Sequence, residues 1–252
     1  SSGFKALFGL GEEEKVRRSS ISERLSKIDS HYFKEIYEQM YGRFSELYSK
    51  SEIEKYNLIR VDSTIVADTC NKLKEGIDQK SGKKLVKFSF SFDGILPSGV
   101  EVFTAQKYSS EESALPQAIL KHTLKEIGHD NIYIIDRGLQ STRTMKEFDE
   151  QSIKFIIRSK ENRKFEEIET YLDVENPLKW EDWGLVKDSK VKLFTGKPIL
   201  NKRGNIHHRE EKVETEFRLV IIKNEKTNKE FWFLTNEFEL SAKEITDYYR
   251  KR

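Results

Sequence analysis

"NLIRVDSTIV", Asn57 to Val66, is the stretch from which the fold is read. Leu58, Ile59, Val61, Ile65 and Val66 are branched and apolar, which marks a buried β-strand. Asp62 interrupts it. Aspartate is depleted in strands, and an unpaired buried carboxylate is costly. Two local explanations are open: a solvent-facing position, or a hydrogen bond from Ser63 or Thr64. A carboxylate kept for chemistry needs partners elsewhere in the chain.

Working outward, the hydrophobic period stays at two. "KLVKFSFSFD" puts Val86, Phe88, Phe90 and Phe92 on one face and Lys87, Ser89 and Ser91 on the other. "GVEVFTAQKY" is the third strand. The Asp93-Gly94 and Pro97-Ser98-Gly99 turn signals between the two predict an antiparallel hairpin. A helix over "SALPQAILKHTLKEIG", closed by Gly128, precedes a strand, "NIYIIDRG", that again ends in an acid, Asp136. A short helix, "TRTMKEFDEQS", and a strand, "IKFIIRS", follow. Three antiparallel strands, then strands linked by helices, predict a mixed α/β fold with helices on the faces of one mixed sheet over residues 51–160.

The flanks read differently. Residues 1–50 are helical in pattern: Ser20 with Glu23 fits a capping box, and Phe33, Ile36, Tyr37 and Met40 form an apolar stripe expected in the core. Residues 161–234 read as a β-rich insertion, with turns at Gly184, Gly196-Lys197-Pro198, Arg203-Gly204-Asn205 and Lys226-Thr227-Asn228. In 235–252, Ser241 with Glu244 fits a second capping box and starts a helix. No closing signal follows it, so the expectation is a core helix that continues past Arg252 in a longer, truncated protein.

Composition narrows the class. The 252 residues are 36% hydrophobic and 35% charged, the latter above the usual quarter or so. Net charge is +2, from 45 Lys+Arg against 43 Asp+Glu, so a nucleic-acid footprint has to be local. The single Cys70 excludes an intramolecular disulfide and a cysteine-based zinc cluster. With no signal peptide and no apolar run near 18 residues, the expectation is a cytoplasmic chain without a membrane partner.

Asp62 and Asp136 sit on strands that this order makes candidates for neighbours in the sheet. Two adjacent carboxylates repel unless a positive charge lies between them. A divalent cation answers this, since Mg²⁺ takes one or two carboxylates plus substrate phosphate. The strand order resembles the ribonuclease-H-like fold. "VDST" and "IIDRGLQS" resemble the first two acidic signatures of DDE transposases of the insertion-sequence-four family, and "FWFLTN" followed by Tyr249 and Arg252 resembles its C-terminal Tyr-x2-Arg-x3-Glu-x6-Lys signature. The resemblance covers about residues 57 to 252. It implies Asp62 and Asp136 as catalytic metal ligands for two Mg²⁺ ions, with Mn²⁺ as a substitute. It puts the third carboxylate, a Glu, four residues beyond Arg252; Glu244 is a poor stand-in because the capping box uses it. It also implies double-stranded DNA as partner, both transposon terminal repeats and target, a homodimer on paired ends, and bacterial, nucleoid-associated use.

DNA contacts follow from the same resemblance. Tyr249 and Arg252 share a helix face and are expected near the cut phosphate. "KFIIRSKENRK" gathers Lys154, Arg158, Lys160, Arg163 and Lys164 beyond the Asp136 strand; clustered cations suit phosphates, and a solvated charged loop is the plain alternative. Arg137 is a candidate to orient Asp136 or to meet phosphate. Trp232, or its neighbour Phe231, is the candidate to stack on a base, against simple core packing. Two other readings stay open: a nuclease on the same fold without strand transfer, and a non-catalytic DNA-binding remnant.

Overall fold

β1 (Asn57–Ala67) is the strand around which the rest assembles. It pairs antiparallel with β3 (Lys84–Phe92) on one side and parallel with β5 (Asn131–Ile135) on the other. The computed structural model describes residues 18–45, 47, 56–68, 73–94, 96–125, 130–173, 178–200 and 206–250. These fall into two units, Ser1–Ser49 and Lys50–Arg252. Gly128, Cys70, Arg203-Gly204-Asn205 and Arg252 lie outside the described residues.

The first unit contains α1 (Arg18–Lys27) and α2 (Ser30–Ser45). Ser20 does not cap α1, which is already helical from Arg18; Glu23 instead pairs with Lys27 one turn on, at 2.8 Å. The expected stripe forms on α2, but Phe33, Ile36 and Met40 are exposed rather than core residues.

In the second unit, β2 (Ile77–Asp78) and β4 (Pro97–Phe103) flank the far side of β3, and α3 (Glu111–Lys125) leads to β5. Next come α4 (Thr142–Glu150) and β6 (Lys154–Ser159), parallel to β5. β7 (Phe165–Thr170), β8 (Lys179–Trp180), β9 (Trp183–Leu200), β10 (Ile206–Asn224) and β11 (Glu230–Thr235) precede α5 (Ala242–Arg250). Among the described residues they form one 11-stranded sheet, ordered β2-β3-β1-β5-β6-β11-β10-β9-β7, with β4 on β3 and β8 on β9. Three antiparallel strands followed by helix-linked parallel strands are as expected. The β-rich stretch joins the same sheet, because β11 pairs antiparallel with β6.

Two turn expectations fail. β9 runs unbroken through Gly184 and through Gly196, Lys197 and Pro198, because the long ladder to β10 uses their backbone. Pro97-Ser98-Gly99 belongs to β4 rather than the turn, where Asp93 Oδ1 instead accepts the Leu96 amide at 2.8 Å and Gly94 takes φ 99°.

Period-two alternation splits the core across the two sheet faces. Ile59, Val61, Tyr133, Ile135, Phe155 and Ile157 pack on one face, beneath Leu115 and Ile119 of α3 and Met145 and Phe148 of α4. Leu58, Ile132, Ile134, Ile156 and Phe233 pack on the other with Ala242, Ile245 and Tyr248 of α5. β5 is buried on both faces, which explains its unbroken apolar run. The second half of β1 is not buried: Ile65 and Val66 are more than half exposed.

On β3 the faces alternate as read, but the polar face is the covered one. Lys87, Ser89 and Ser91 are buried while Phe90 is 38% exposed. That face lies under α3, whose Ala114 and Ala118 pack on Phe103 of the adjoining β4. A Cβ on Gly99 would stand 2.9 Å from His122 Cδ2. The buried polar groups find partners: Lys87 donates to Ser109 O at 2.9 Å and Glu111 at 3.2 Å, and Ser63 Oγ meets Ser89 Oγ at 2.6 Å.

One buried ion pair fixes the approach to α5. Arg218 on β10 grips both Asp188 oxygens on β9 at 2.8 Å, and its Nη1 donates to the carbonyls of Phe238 and Leu240 just before the helix. Ser241 and Glu244 then form the expected capping box: the Ser241 amide donates to Glu244 Oε2 at 2.7 Å, and the Glu244 amide to Ser241 Oγ at 3.2 Å.

Candidate active site

Val61 of β1 pairs in register with Ile135 of β5, so the next residue on each parallel strand is an aspartate, Asp62 and Asp136. By the same alternation both belong to the face that α5 covers. They line one cavity of about 610 Å³ together with Arg158, Trp183, Ile222, Phe231, Phe233, Tyr249 and Arg250. Asp62 is exposed at this edge, and its Oδ1 accepts the amide of Ser63 at 2.9 Å. Both local explanations therefore hold, and neither removes the carboxylate from the cavity.

Asp136 accepts from a local and a distant donor. Its Oδ1 accepts the Arg137 amide at 2.8 Å and the Tyr249 hydroxyl at 2.9 Å. Ile245 and Tyr248 bury α5 against the sheet, and the Tyr249 ring packs on Phe233 with centroids 5.0 Å apart. Arg250, the next residue, lines the cavity and bonds Glu181 at 3.3 Å. Tyr249 thus reaches the second carboxylate, 113 residues away in sequence.

The loop after Asp136 is clamped from three elements. Glu112 of α3 accepts the amides of Gln140 and Ser141 at 2.6 and 3.1 Å. Gln140 Nε2 donates to the carbonyls of Arg137 and Arg158, and its Oε1 accepts from Lys160 N and Arg163. Arg163 Nη2 also donates to Gln140 O at 2.8 Å and Thr142 Oγ1 at 2.7 Å. Burial lowers the Arg163 pKa, with the Glu112 charge working against that.

The basic cluster expected beyond Asp136 is therefore dispersed. Arg163 faces inward; Lys164 pairs with Glu210; Lys154 lies at the opposite end of β6, bonded to Glu237. Arg158 and the exposed Lys160 remain at this edge. Arg158 stacks its guanidinium 4.4 Å over Phe231, and its buried Nε has no hydrogen-bond partner among the described residues. Arg158 and Phe231 also line a neighbouring cavity of about 650 Å³ with Arg137, Lys223 and Lys229. Arg137 pairs there with Glu161 at 3.5 Å.

Trp232 is not brought to the carboxylates. Strand alternation turns it to the opposite face, where it packs edge-on to Phe165 and donates to Glu230 at 3.1 Å. Its neighbours Phe231 and Phe233 are the cavity residues. The alternation of "FWFLT" carried that signal. Glu112, Gln140 and Arg250 carried none, because each acts through a long-range contact.

Two carboxylates on adjacent parallel strands are the hard oxygen donors that Mg²⁺ takes alongside phosphate, so the residues present fit such an ion. Among the described residues no cluster of three Asp, Glu, His or Cys is available to hold a metal.

Among solved structures, the cryo-EM structure of a piggyBac transposase synaptic complex with hairpin DNA is similar at a TM-score of 0.40 and 11% identity, over 77% of this chain and 37% of that one. The chain thus spans little more than a third of that transposase. A comparison with curated proteins finds no match. No helix among the described residues is long and apolar enough to cross a membrane. Residues 54–252, most of the chain and all of the acidic cavity, match the model of the transposase DDE domain, and the chain belongs to that family.

Proposed function

We propose that this chain carries the catalytic centre of a DNA transposase of insertion-sequence-four type. It would cut the phosphodiester at transposon ends and join the freed 3′-hydroxyl to target DNA. The observation that carries this reading is the in-register pair Asp62 and Asp136 in a cavity that Arg158 and Arg250 also line. The two carboxylates hold divalent cations, Mg²⁺ or Mn²⁺. Bound there, such ions supply activation of the attacking oxygen and neutralisation of charge on the leaving one.

The chain's own residues do the rest. Arg158 and Arg250 draw the scissile phosphate toward the carboxylates. Phe231, Trp183 and Phe233 form an apolar wall that excludes water and strengthens each charge contact. Arg137 and Lys160 meet the flanking backbone of double-stranded DNA, at terminal repeats and at target, with a homodimer pairing the two ends.

The test uses the purified full-length protein that contains this chain, its terminal-repeat duplex and Mg²⁺, read on sequencing gels. Asp62→Asn is expected to lower cleavage by about three orders of magnitude, several kcal/mol of transition-state stabilisation. Undiminished cleavage in that variant sinks the reading. Joined products identify a transposase, and cut-only products a nuclease without strand transfer. DNA bound but never cut identifies a binding remnant.

A further inference from the structure

We propose that Tyr249 is a positioning residue for Asp136, acting through the carboxylate rather than on DNA. The inference rests on the reading of Asp62 and Asp136 as metal ligands. Two donors converge on Asp136 Oδ1: the Arg137 amide at 2.8 Å and the Tyr249 hydroxyl at 2.9 Å. The first is local and comes with any chain that turns there. The second arrives from α5, whose own position is fixed by the buried Ile245 and Tyr248 and by the Arg218 grip on the segment before it.

The ring has little freedom to aim elsewhere. Phe233 packs against it with centroids 5.0 Å apart, on the strand that pairs with β6. A carboxylate whose Oδ1 accepts from two donors resists rotation, so it meets an incoming cation in a set orientation. Outer partners of this kind orient metal ligands, and their loss costs about 10- to 100-fold in metal affinity or activity. By its reach to Asp136, Tyr249 links the seating of the C-terminal helix to the geometry of a ligand on the far-separated β5.

The experiment uses the 252-residue chain and Mn²⁺ as probe, with binding followed by water-proton relaxation enhancement. Tyr249→Phe keeps the ring on Phe233 and removes only the hydroxyl. Its Mn²⁺ Kd is expected to rise about tenfold, with unchanged thermal unfolding in EDTA. Its affinity for a short fluorescein-labelled duplex in EDTA should also be unchanged. Tyr249→Leu removes ring and hydroxyl; it is expected to weaken Mn²⁺ at least as much and to lower the melting temperature too. An unchanged Mn²⁺ Kd in Tyr249→Phe overturns the proposal, and a loss of DNA affinity with unchanged Mn²⁺ binding replaces it with a phosphate contact. Asp136→Asn separates the two layers. If it binds Mn²⁺ as tightly as the unaltered chain, the metal-ligand reading itself fails; if it alone loses the ion, only the role of Tyr249 fails.

Discussion

Arg158 stands between two cavities with its guanidinium stacked on Phe231 and its Nε unpartnered among the described residues. A buried donor without an acceptor is a standing cost, and a phosphate oxygen would relieve it. Arg158→Met is therefore expected to weaken duplex binding uniformly across sequences and to reduce the slope of log K against log salt by about one. Fluorescence anisotropy over a salt series in EDTA measures both; an unaltered slope removes Arg158 from the interface. Arg158→Lys should recover charge but not the stacked, forked geometry. Residue types alone announced this cation but equally announced Arg163, five positions on, which turns inward to Gln140 and Thr142. What separates them is that Arg158 lies on β6 while Arg163 lies in the segment between β6 and β7, and the sequence shows that only once the strand end is known.

At the scale of elements, capping and periodicity were legible and coverage was not. The Ser241–Glu244 box, the strands β1, β3, β5 and β6, and the acids on β1 and after β5 follow from local chemistry. Which face of β3 lies under a helix does not. "KLVKFSFSF" states two faces, and only the cover that α3 provides decides that the serines go inside. The route of α5 to Asp136 was equally hidden, since it depends on Arg218 and Asp188, 30 residues apart. Both side chains are below a tenth exposed. Arg218→Met leaves Asp188 buried without its cation, and the expected loss is about 3–5 kcal/mol of unfolding free energy by urea titration. The Tyr249 contact should loosen with it, so Mn²⁺ binding should fall in the residual folded protein. A change under about 1 kcal/mol would mean that this pair behaves like a surface one.

For the molecule as a whole, the sheet of the second unit is one structure from β2 to β7, and the site lies near its middle. Lys154, at the far end of β6 from the site, joins this sheet to the segment before α5 through Glu237 at 2.9 Å. Burial lowers the Lys154 pKa, but hydrogen bonds to Glu237 and Tyr56 and their charges outweigh it, and the net shift is upward from 10.5. A raised ammonium pKa contributes stability that is complete below the unfolded value and is lost as pH rises through the folded one. Melting temperatures above about pH 10.5 should therefore decline more steeply in the unaltered chain than in Lys154→Met. Parallel curves would show that the pair adds nothing.

The β9–β10 ladder carries a consequence for how such a chain tolerates change. The two strands have 18 and 19 residues, some 60 Å at about 3.3 Å each. Their inner halves hold Val191, Phe217, Leu219 and Val220 in the core, while pairing continues outward to Leu200 and Ile206. Residues added or removed in matched pairs at the outer end keep every inner side chain on its face, since the pleat repeats every two residues. A single-residue change in the inner half turns Phe217 and Leu219 toward the wrong side and unseats β11, and with it Phe231 and Phe233. Length variation in descendants of this sequence should accordingly accumulate at the hairpin's far end, in even steps, while the distance from β10 to β11 stays fixed.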